Sequence, residues 1–283
     1  MMGGMSGRLF LAATPIGNVG DASIRLRELL AQADIIAAED SRRAHRLLAD
    51  MGVTYIGQIW SFYDAVEQAK SPEIIDRVES GATVVMISDA GMPSVSDPGY
   101  RLVREAIERG VNVSVLPGPS AVLAALAISG LPVDRFTFEG FLPRKAGERL
   151  SALAKLEIEQ RTMVFFEAPH RLAETIQAML EVFGPERQIV VCRELTKTYE
   201  EIIRGDLADL ALWVEREILG EITIVLHGAS EQAPTVASDW IQQVATRVAL
   251  GVSQRDAIAE VARELHIPKR DVYDAVLASH RLQ

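Results

Sequence analysis

Through the first 228 residues, short apolar runs alternate with amphipathic stretches of helical length, and this alternation limits the fold more than any other feature. Runs such as Arg8–Ala13, Ile35–Ala38 and Thr83–Ser88 are too short for buried helices, and Val and Ile in them suit pleated strands. The repeating order of strand and helix places the chain in the α/β class, with helices laid over a largely parallel sheet. Further strands are expected at Asn112–Leu116, Phe136–Phe141, Thr162–Phe166, Gln188–Cys192, Glu200–Arg204 and Glu221–His227. Helices are expected at Asp21–Gln32, Ser41–Met51, Glu73–Ser80, Pro98–Arg109, Pro119–Ser129, Arg149–Glu157, Pro169–Phe183 and Leu207–Arg216. Gly130–Asp134 reads as a hinge between two α/β halves.

A polar stretch, Ala229–Ser238, ends this alternation, and the chain beyond it is helical in pattern. Three helices are expected near Asp239–Leu250, Ser253–Leu265 and Pro268–Ser279, with Ser253 as an N-cap and Pro268 opening the last. Ala257, Ile258, Val261, Ala262, Val272 and Val276 recur on one face of the last two, as in a helix-turn-helix. Charge narrows the functions: 29 Lys plus Arg against 39 Asp plus Glu leave −10, so any RNA contact needs local basic patches. The lone Cys192 excludes an internal disulfide or a multi-cysteine metal centre and is expected as a buried thiol in a reducing compartment. The longest purely apolar run, Ala121–Ile128, is far short of the roughly 20 residues that span a bilayer. Met1–Arg8 has no apolar signal core, so a cytoplasmic setting without membrane insertion is expected. His45 and His170 have no partners at metal-ligand spacing, and no metal is expected.

In parallel α/β sheets ligands bind beyond the carboxyl ends of the strands. The loops to weigh are therefore Thr14–Asp21, Ser88–Gly99, Leu116–Ala121, Glu167–Arg171 and Arg193–Lys197. They contain no Gly-x-x-x-x-Gly-Lys and no Gly-x-Gly-x-x-Gly, and the loop richest in small residues carries Asp89 and Asp97, so a phosphate cradle is excluded. Small residues beside carboxylates suit a ligand with hydroxyls, an amine or a positive sulfonium, with backbone close to it at Gly91 and Gly118. Asp97, just before Pro98, reads as a structural helix N-cap. Ser41–Arg46, and Arg144 and Lys145 with Arg149, are candidate basic patches.

Together the loops resemble one family. Thr14-Pro15-Ile16-Gly17-Asn18, Ala38-Glu39-Asp40-Ser41-Arg42, Ser88-Asp89-Ala90-Gly91 through Ser96-Asp97-Pro98-Gly99-Tyr100, Pro117-Gly118-Pro119-Ser120-Ala121, Phe138 to Lys145, Phe165-Phe166-Glu167-Ala168-Pro169-His170-Arg171 and Arg193-Glu194-Leu195-Thr196-Lys197 follow the order seen in the ribosomal RNA small subunit methyltransferase I family. That family lies within the tetrapyrrole-methylase-like superfamily, and the resemblance spans residues 8–280. Met92 and Ser94-Val95-Ser96 depart from the commoner residues of the third-strand loop.

The resemblance implies a two-domain tetrapyrrole-methylase-like (class III methyltransferase) α/β fold with a small C-terminal helical domain. It divides as an N-terminal α/β domain (1–117), a second α/β domain (118–228), a linker (229–238) and a helix-turn-helix-like domain (239–283). It implies S-adenosylmethionine as cofactor, a homodimer, and methylation of the ribose 2′-hydroxyl of a decoding-centre cytidine, cytidine 1402, in the 16S rRNA of the small ribosomal subunit. The implied cofactor residues are Pro15 on the first loop, Asp89, Ala90, Gly91 and Ser94 on the third-strand loop, and Ser120 and Ala121 after the fourth strand. Phe166, Glu167, Leu195, Ile222 and Thr223 complete that set from the second half. Candidate catalytic groups are Lys145, Glu39, Asp40, Arg193 and Lys197, with Glu167 and Glu194 as further candidates for a base or orienting group. Arg42, Arg43, Arg46, Arg144, Lys145, Arg149, Lys269 and Arg270 are candidate RNA contacts. The alternatives are a tetrapyrrole methylase sharing the fold and a non-enzymatic nucleic-acid-binding regulator. The last helix weakens the regulator, because beside Lys269 and Arg270 it offers no Asn or Gln to read bases.

Overall fold

The computed structural model describes residues 7–229, 237–265 and 267–280, in two compact units that divide after Gly228. In the first unit, β1 (Arg8–Ala12), β2 (Ile35–Ala38), β3 (Gln58–Ser61), β4 (Thr83–Ile87) and β5 (Val113–Leu116) form an all-parallel sheet in the order β3-β2-β4-β1-β5. The central strands β2 and β4 are buried on both faces, which is why they read as continuous apolar runs. Ala12, Ile36, Ala38, Val85 and Ile87 face α1 (Ile24–Gln32) and α2 (Ser41–Asp50). Leu9, Leu11, Ile35, Ala37, Val84 and Met86 face α3 (Asp64–Glu79) and α4 (Tyr100–Glu108). The strand order reverses at β1 and β4, so the loops after these two strands border the crevice where such sheets bind ligands.

Two elements depart from expectation. The edge strand β3 is half-buried and carries Gln58 and Ser61, too polar to register as an apolar run. Helix α3 begins at Asp64 rather than Glu73 because Pro72, which reads as a start signal, lies inside it. A proline there forfeits one backbone hydrogen bond, at a cost of about 3 kcal/mol. The helix persists because Ile74, Ile75 and Val78 are fully sequestered against the sheet, each contributing about 1.5–3 kcal/mol.

The second sheet contains β6 (Phe136–Phe141), β7 (Thr162–Glu167), β8 (Gln188–Arg193), β9 (Glu201–Asp206) and β10 (Ile222–Leu226) in the order β6-β7-β10-β8-β9. Only β6 and β7 pair in parallel; β10 runs antiparallel to both β7 and β8, and β9 antiparallel to β8. The carboxyl ends of β6, β7 and β8 therefore share one edge with the amino ends of β9 and β10. Met163, Phe165, Ile189, Val191, Ile222 and Ile224 face α6 (Ala146–Ala154), α7 (Leu172–Phe183) and α8 (Leu207–Trp213).

The opposite face, with Val164, Val190, Cys192 and Val225, receives α5 (Ala121–Ser129) through Val122, Ala125 and Leu126. Arg204 on β9 donates to the carbonyls of Ile128 and Ser129, closing the end of α5. Gly130–Asp134 is therefore no hinge between halves: it joins α5 to β6, and both belong with the second sheet. Gly130 ends the helix at φ 79°, a conformation that suits glycine.

The second unit holds α9 (Ala237–Ala249), α10 (Gln254–Glu264) and α11 (Lys269–His280) around Val244, Ala257, Ile258, Val261, Ala262, Val272 and Val276. Ser253 caps α10 by accepting from the Asp256 amide at 3.2 Å. Most of the expected linker, 230–236, lies outside the described residues. Among the described residues no helix is long and apolar enough to cross a membrane.

Candidate active site

A cleft of about 390 Å³ opens where the carboxyl edge of the first sheet meets the shared edge of the second. Ala90, Gly91, Met92, Val95, Ser96 and Asp97 line it from the loop after β4, and Ile16 from the loop after β1. Ser120, Ala121 and Val122 close one side at the start of α5. From the second half come Phe141, Phe166, Glu167, Ala168, Pro169, Gly220, Glu221, Ile222 and Thr223.

The walls are held from both halves. An antiparallel bridge ties Thr14 to Gly91, with Thr14 N donating to Gly91 O at 2.9 Å and Gly91 N to Thr14 O at 3.2 Å. Asn18 N donates to Thr196 Oγ1 at 3.1 Å, joining the first loop to the loop after β8. Gly17 is obligatory there, because a β-carbon would come within 2.4 Å of Lys197 Cγ. Ser94 and Ser96, at φ 71° and 63°, and Glu194 and Thr196, at 52° and 67°, are non-glycine residues in left-handed conformations. Such strain persists only where the surroundings enforce it, and it clusters at functional sites.

Helix α4 explains how the first of these loops is fixed. Its N-cap is Gly99, at φ 136°, which has no side chain to offer. The buried carboxylate of Glu67, projecting from α3, takes that place: Oε1 accepts from the amides of Gly99 and Arg101, each at 2.9 Å. Asp97 is thus not the helix cap. Its carboxyl lies in the cleft wall instead, and burial, with the carboxylates of Glu39, Asp89 and Asp64 nearby, pushes its pKa up to about 6 against an opposing hydrogen bond from Ser88. Burial also raises Glu39 and Asp89 above the ordinary carboxylate range. The Asp89 amide donates to Glu39 Oε2 at 3.3 Å, and Arg43 pairs with Asp89 at 3.1 Å.

Eight of the twelve residues implied as cofactor contacts line the cleft: Ala90, Gly91, Ser120, Ala121, Phe166, Glu167, Ile222 and Thr223. The other four lie outside its lining. Pro15 is buried beneath the first loop, and Asp89 turns to a small recess beside Arg43. The Ser94 hydroxyl is buried without a partner, and Leu195 belongs to the apolar cluster around α5. The lining residues Gly220 and Glu221 escape a search confined to carboxyl ends of strands, since they precede β10, the antiparallel one. Phe141 ends a strand whose carboxyl edge was already open to inspection.

The candidate catalytic groups are dispersed. Asp40 is the N-cap of α2 and is held down to about 2 by its hydrogen bonds from Arg42. Lys145, 81% exposed at the start of α6, pairs with Glu148 at 2.9 Å. Lys197 donates to Glu194 Oε1 at 2.7 Å and to Glu221 Oε2 at 3.0 Å. Despite desolvation these bonds raise its pKa, so it stays protonated and cannot act as a base. Glu194 is lowered against desolvation by the same lysine and by the Glu221 amide. Arg193 bonds Glu201 at 3.3 Å. The Glu167 side chain turns inward, accepting from Thr175 Oγ1 at 2.6 Å and from the Ala168 amide at 2.8 Å.

Of the basic residues, Arg149 is a correction: it is 4% exposed and paired with Glu174 at 3.0 Å, because it packs on the inner side of α6 rather than on a surface patch. Arg144 is exposed; Arg42, Arg43 and Arg46 are exposed but engaged with Asp40, Asp89 and Asp50. In the second unit Lys269 and Arg270 are exposed, the latter 3.7 Å from Asp274. Among the described residues no group of His, Cys, Asp and Glu could hold a metal ion.

The model for tetrapyrrole (corrin/porphyrin) methylases matches residues 8–211. The fold is that of the methyltransferase CobJ, with a TM-score of 0.61 at 20% identity over 79% of this chain and 95% of that one. It is likewise that of uroporphyrin-III C-methyltransferase from Thermus thermophilus, solved with S-adenosylhomocysteine, with a TM-score of 0.53 at 17% identity over 77% of this chain and 96% of that one. Fold and cleft thus define a tetrapyrrole-methylase-type methyltransferase, a class whose methyl donor is S-adenosylmethionine.

Sequence similarity narrows this further. The chain is 49% identical over 277 residues to ribosomal RNA small subunit methyltransferase I of Mycobacterium tuberculosis, covering 98% of this chain and 96% of the relative. It belongs to the ribosomal RNA small subunit methyltransferase I family.

The cleft suits the donor. Its volume falls in the range of about 300–1,000 Å³ usual for small-molecule sites. Its lining is largely apolar, which suits the uncharged body of such a donor.

Proposed function

We propose that this protein transfers a methyl group from S-adenosylmethionine to the ribose 2′-hydroxyl of cytidine 1402 in the decoding centre of 16S rRNA. The observation that carries the reading is the cleft beyond the carboxyl ends of β1 and β4, in a chain so similar over its length to a ribosomal RNA methyltransferase. A tetrapyrrole substrate has the fold and the family model in its favour, but not the near-full-length similarity.

When bound, the donor supplies a methyl already activated on a positive sulfur. The residues that would hold it are Ala90, Gly91, Ser120, Ala121, Phe166, Ile222 and Thr223. The start of α5 has no side-chain cap, so its amides are available to a carboxylate such as that of a methionyl tail. The chain's task is then to align the acceptor oxygen for in-line attack and to exclude water. Arg144 and Lys145, on the loop after Phe141, would meet phosphates near the mouth, and Lys269 and Arg270 are further candidate phosphate contacts in the helical unit. A homodimer and a cytoplasmic setting belong to the same proposal.

The test is transfer of labelled methyl to small subunits lacking ribose methylation, with nuclease mapping of the product. Label on a decoding-centre cytidine ribose is the expected result; label on a base, on another nucleotide or on a tetrapyrrole alone refutes the reading.

A further inference from the structure

Building on the ribose-methylation reading, we propose that Asp97 is the group that takes the proton from the acceptor hydroxyl. Three carboxylates line the cleft: Asp97, Glu167 and Glu221. Glu167 is saturated by Thr175, by the Ala168 amide and by Arg171 at 3.4 Å. Glu221 lies 3.0 Å from Lys197 and is paired with it. Asp97 alone of the three has no salt-bridge partner among the described residues.

Its surroundings suit a proton acceptor. Burial raises its pKa most, Glu39 just after β2, Asp89 after β4 and Asp64 at the start of α3 add like charge, and a hydrogen bond from the Ser88 hydroxyl opposes them. The nearby cation Arg43 is engaged with Asp89, and Lys197 with Glu194 and Glu221. A carboxylate so placed binds a proton more readily than an ordinary one, with a pKa of about 6, close to the working pH that general-base catalysis favours. The loop is rigid around it: Ser94 N donates to Pro98 O at 3.1 Å, Ser94 and Ser96 are held left-handed, and Glu67 anchors Gly99.

In the reaction the oxygen–hydrogen bond breaks and the proton passes to an Asp97 carboxylate oxygen, then to solvent. A bond forms between the 2′-oxygen and the methyl carbon, the carbon–sulfur bond breaks, and its electron pair remains on sulfur, which leaves as a neutral thioether.

The test compares wild type, Asp97→Asn and Asp97→Ala in full-length protein. Calorimetric affinity for S-adenosylmethionine is expected to stay within about threefold in Asp97→Asn, while transfer to subunits falls by about 10²–10⁴-fold, the usual contribution of a general base. Formate should restore part of the rate in Asp97→Ala, and the carboxyl resonance of carbon-13-labelled Asp97 in the donor-free protein should titrate near pH 6. Transfer by Asp97→Asn above a tenth of wild type, no rescue by formate, or loss of donor affinity matching the loss of rate would each overturn the assignment. A wild type that binds the donor yet labels no ribose refutes the parent reading instead, a result visible before any variant is made.

Discussion

Replacing Glu67 by alanine tests whether the floor of the cleft is built from α3. The carboxylate is 6% exposed and accepts two amide hydrogen bonds of 2.9 Å, from Gly99 and Arg101. Its loss removes a charged cap from α4 and strands two amides. Gly99 is buried and water cannot readily replace the bond, so that amide bears the full penalty of about 1–3 kcal/mol. Arg101 is exposed and its amide partly rehydrates, which leaves a helix-cap loss of about 1 kcal/mol. The sum is about 2–4 kcal/mol, or roughly 4–16 °C in the melting of a unit this size. Scanning calorimetry of the transition of the 1–228 unit reads this directly. Glu67→Gln, which keeps one acceptor oxygen but not the charge, should lose about half as much. Donor affinity should fall alongside, since the anchored amide ends the loop that bears Gly91 and Asp97. A drop in Tm below about 2 °C for Glu67→Ala would show that Gly99 holds its conformation without the carboxylate.

Three other expectations follow from the same geometry. Asp97 has its folded pKa raised from 3.8 to about 6, so its contribution to stability is full below pH 3.8 and is lost as pH rises through 6; Asp97→Asn should be more stable than wild type at pH 7 and equal to it near pH 3.5, and equal stability at both would refute the shift. Gly91 sits at φ 83°, where a β-carbon would stand 3.4 Å from Ile16 Cγ2; Gly91→Val should cost about 1–2 kcal/mol in backbone strain and lower donor affinity at least tenfold, so unchanged calorimetric affinity would show the wrong loop had been chosen. Cys192 is fully buried and its thiol is pushed up to about 11, so a thiol reagent at pH 8 should label it only after denaturation; labelling at equal rates in native and unfolded protein would contradict the burial.

The centre of the first sheet was legible because it is buried on both faces: Ile35–Ala38 and Thr83–Ile87 had to be continuous apolar runs. Gln58–Ser61 was not, since an edge strand leaves half its surface in water and needs no such run. The first part of α3, Asp64–Pro72, was missed because Pro72 breaks local helix propensity while tertiary burial carries the helix through it. The loops after β1 and β4 were readable from fold rules and from motif. Asp97 was misassigned for an instructive reason: Asp before Pro looks like a cap, and the true cap, Glu67, is distant in sequence and recognisable only in three dimensions. Arg149 likewise looked like surface charge until its helix face was known.

The position of β10 imposes an order on synthesis. This last strand of the first unit inserts between β7 and β8, each of which pairs with it and not with the other. A nascent chain can close its first sheet once residue 116 has emerged, but β7 and β8 wait as exposed apolar edges until residue 226 is free of the ribosome. Ile222 and Thr223, which complete the cleft wall, are carried in by that same strand. Ligand capture can therefore begin only after the whole catalytic unit has been made, and the interval between β8 and β10 is when a chaperone would have most to protect.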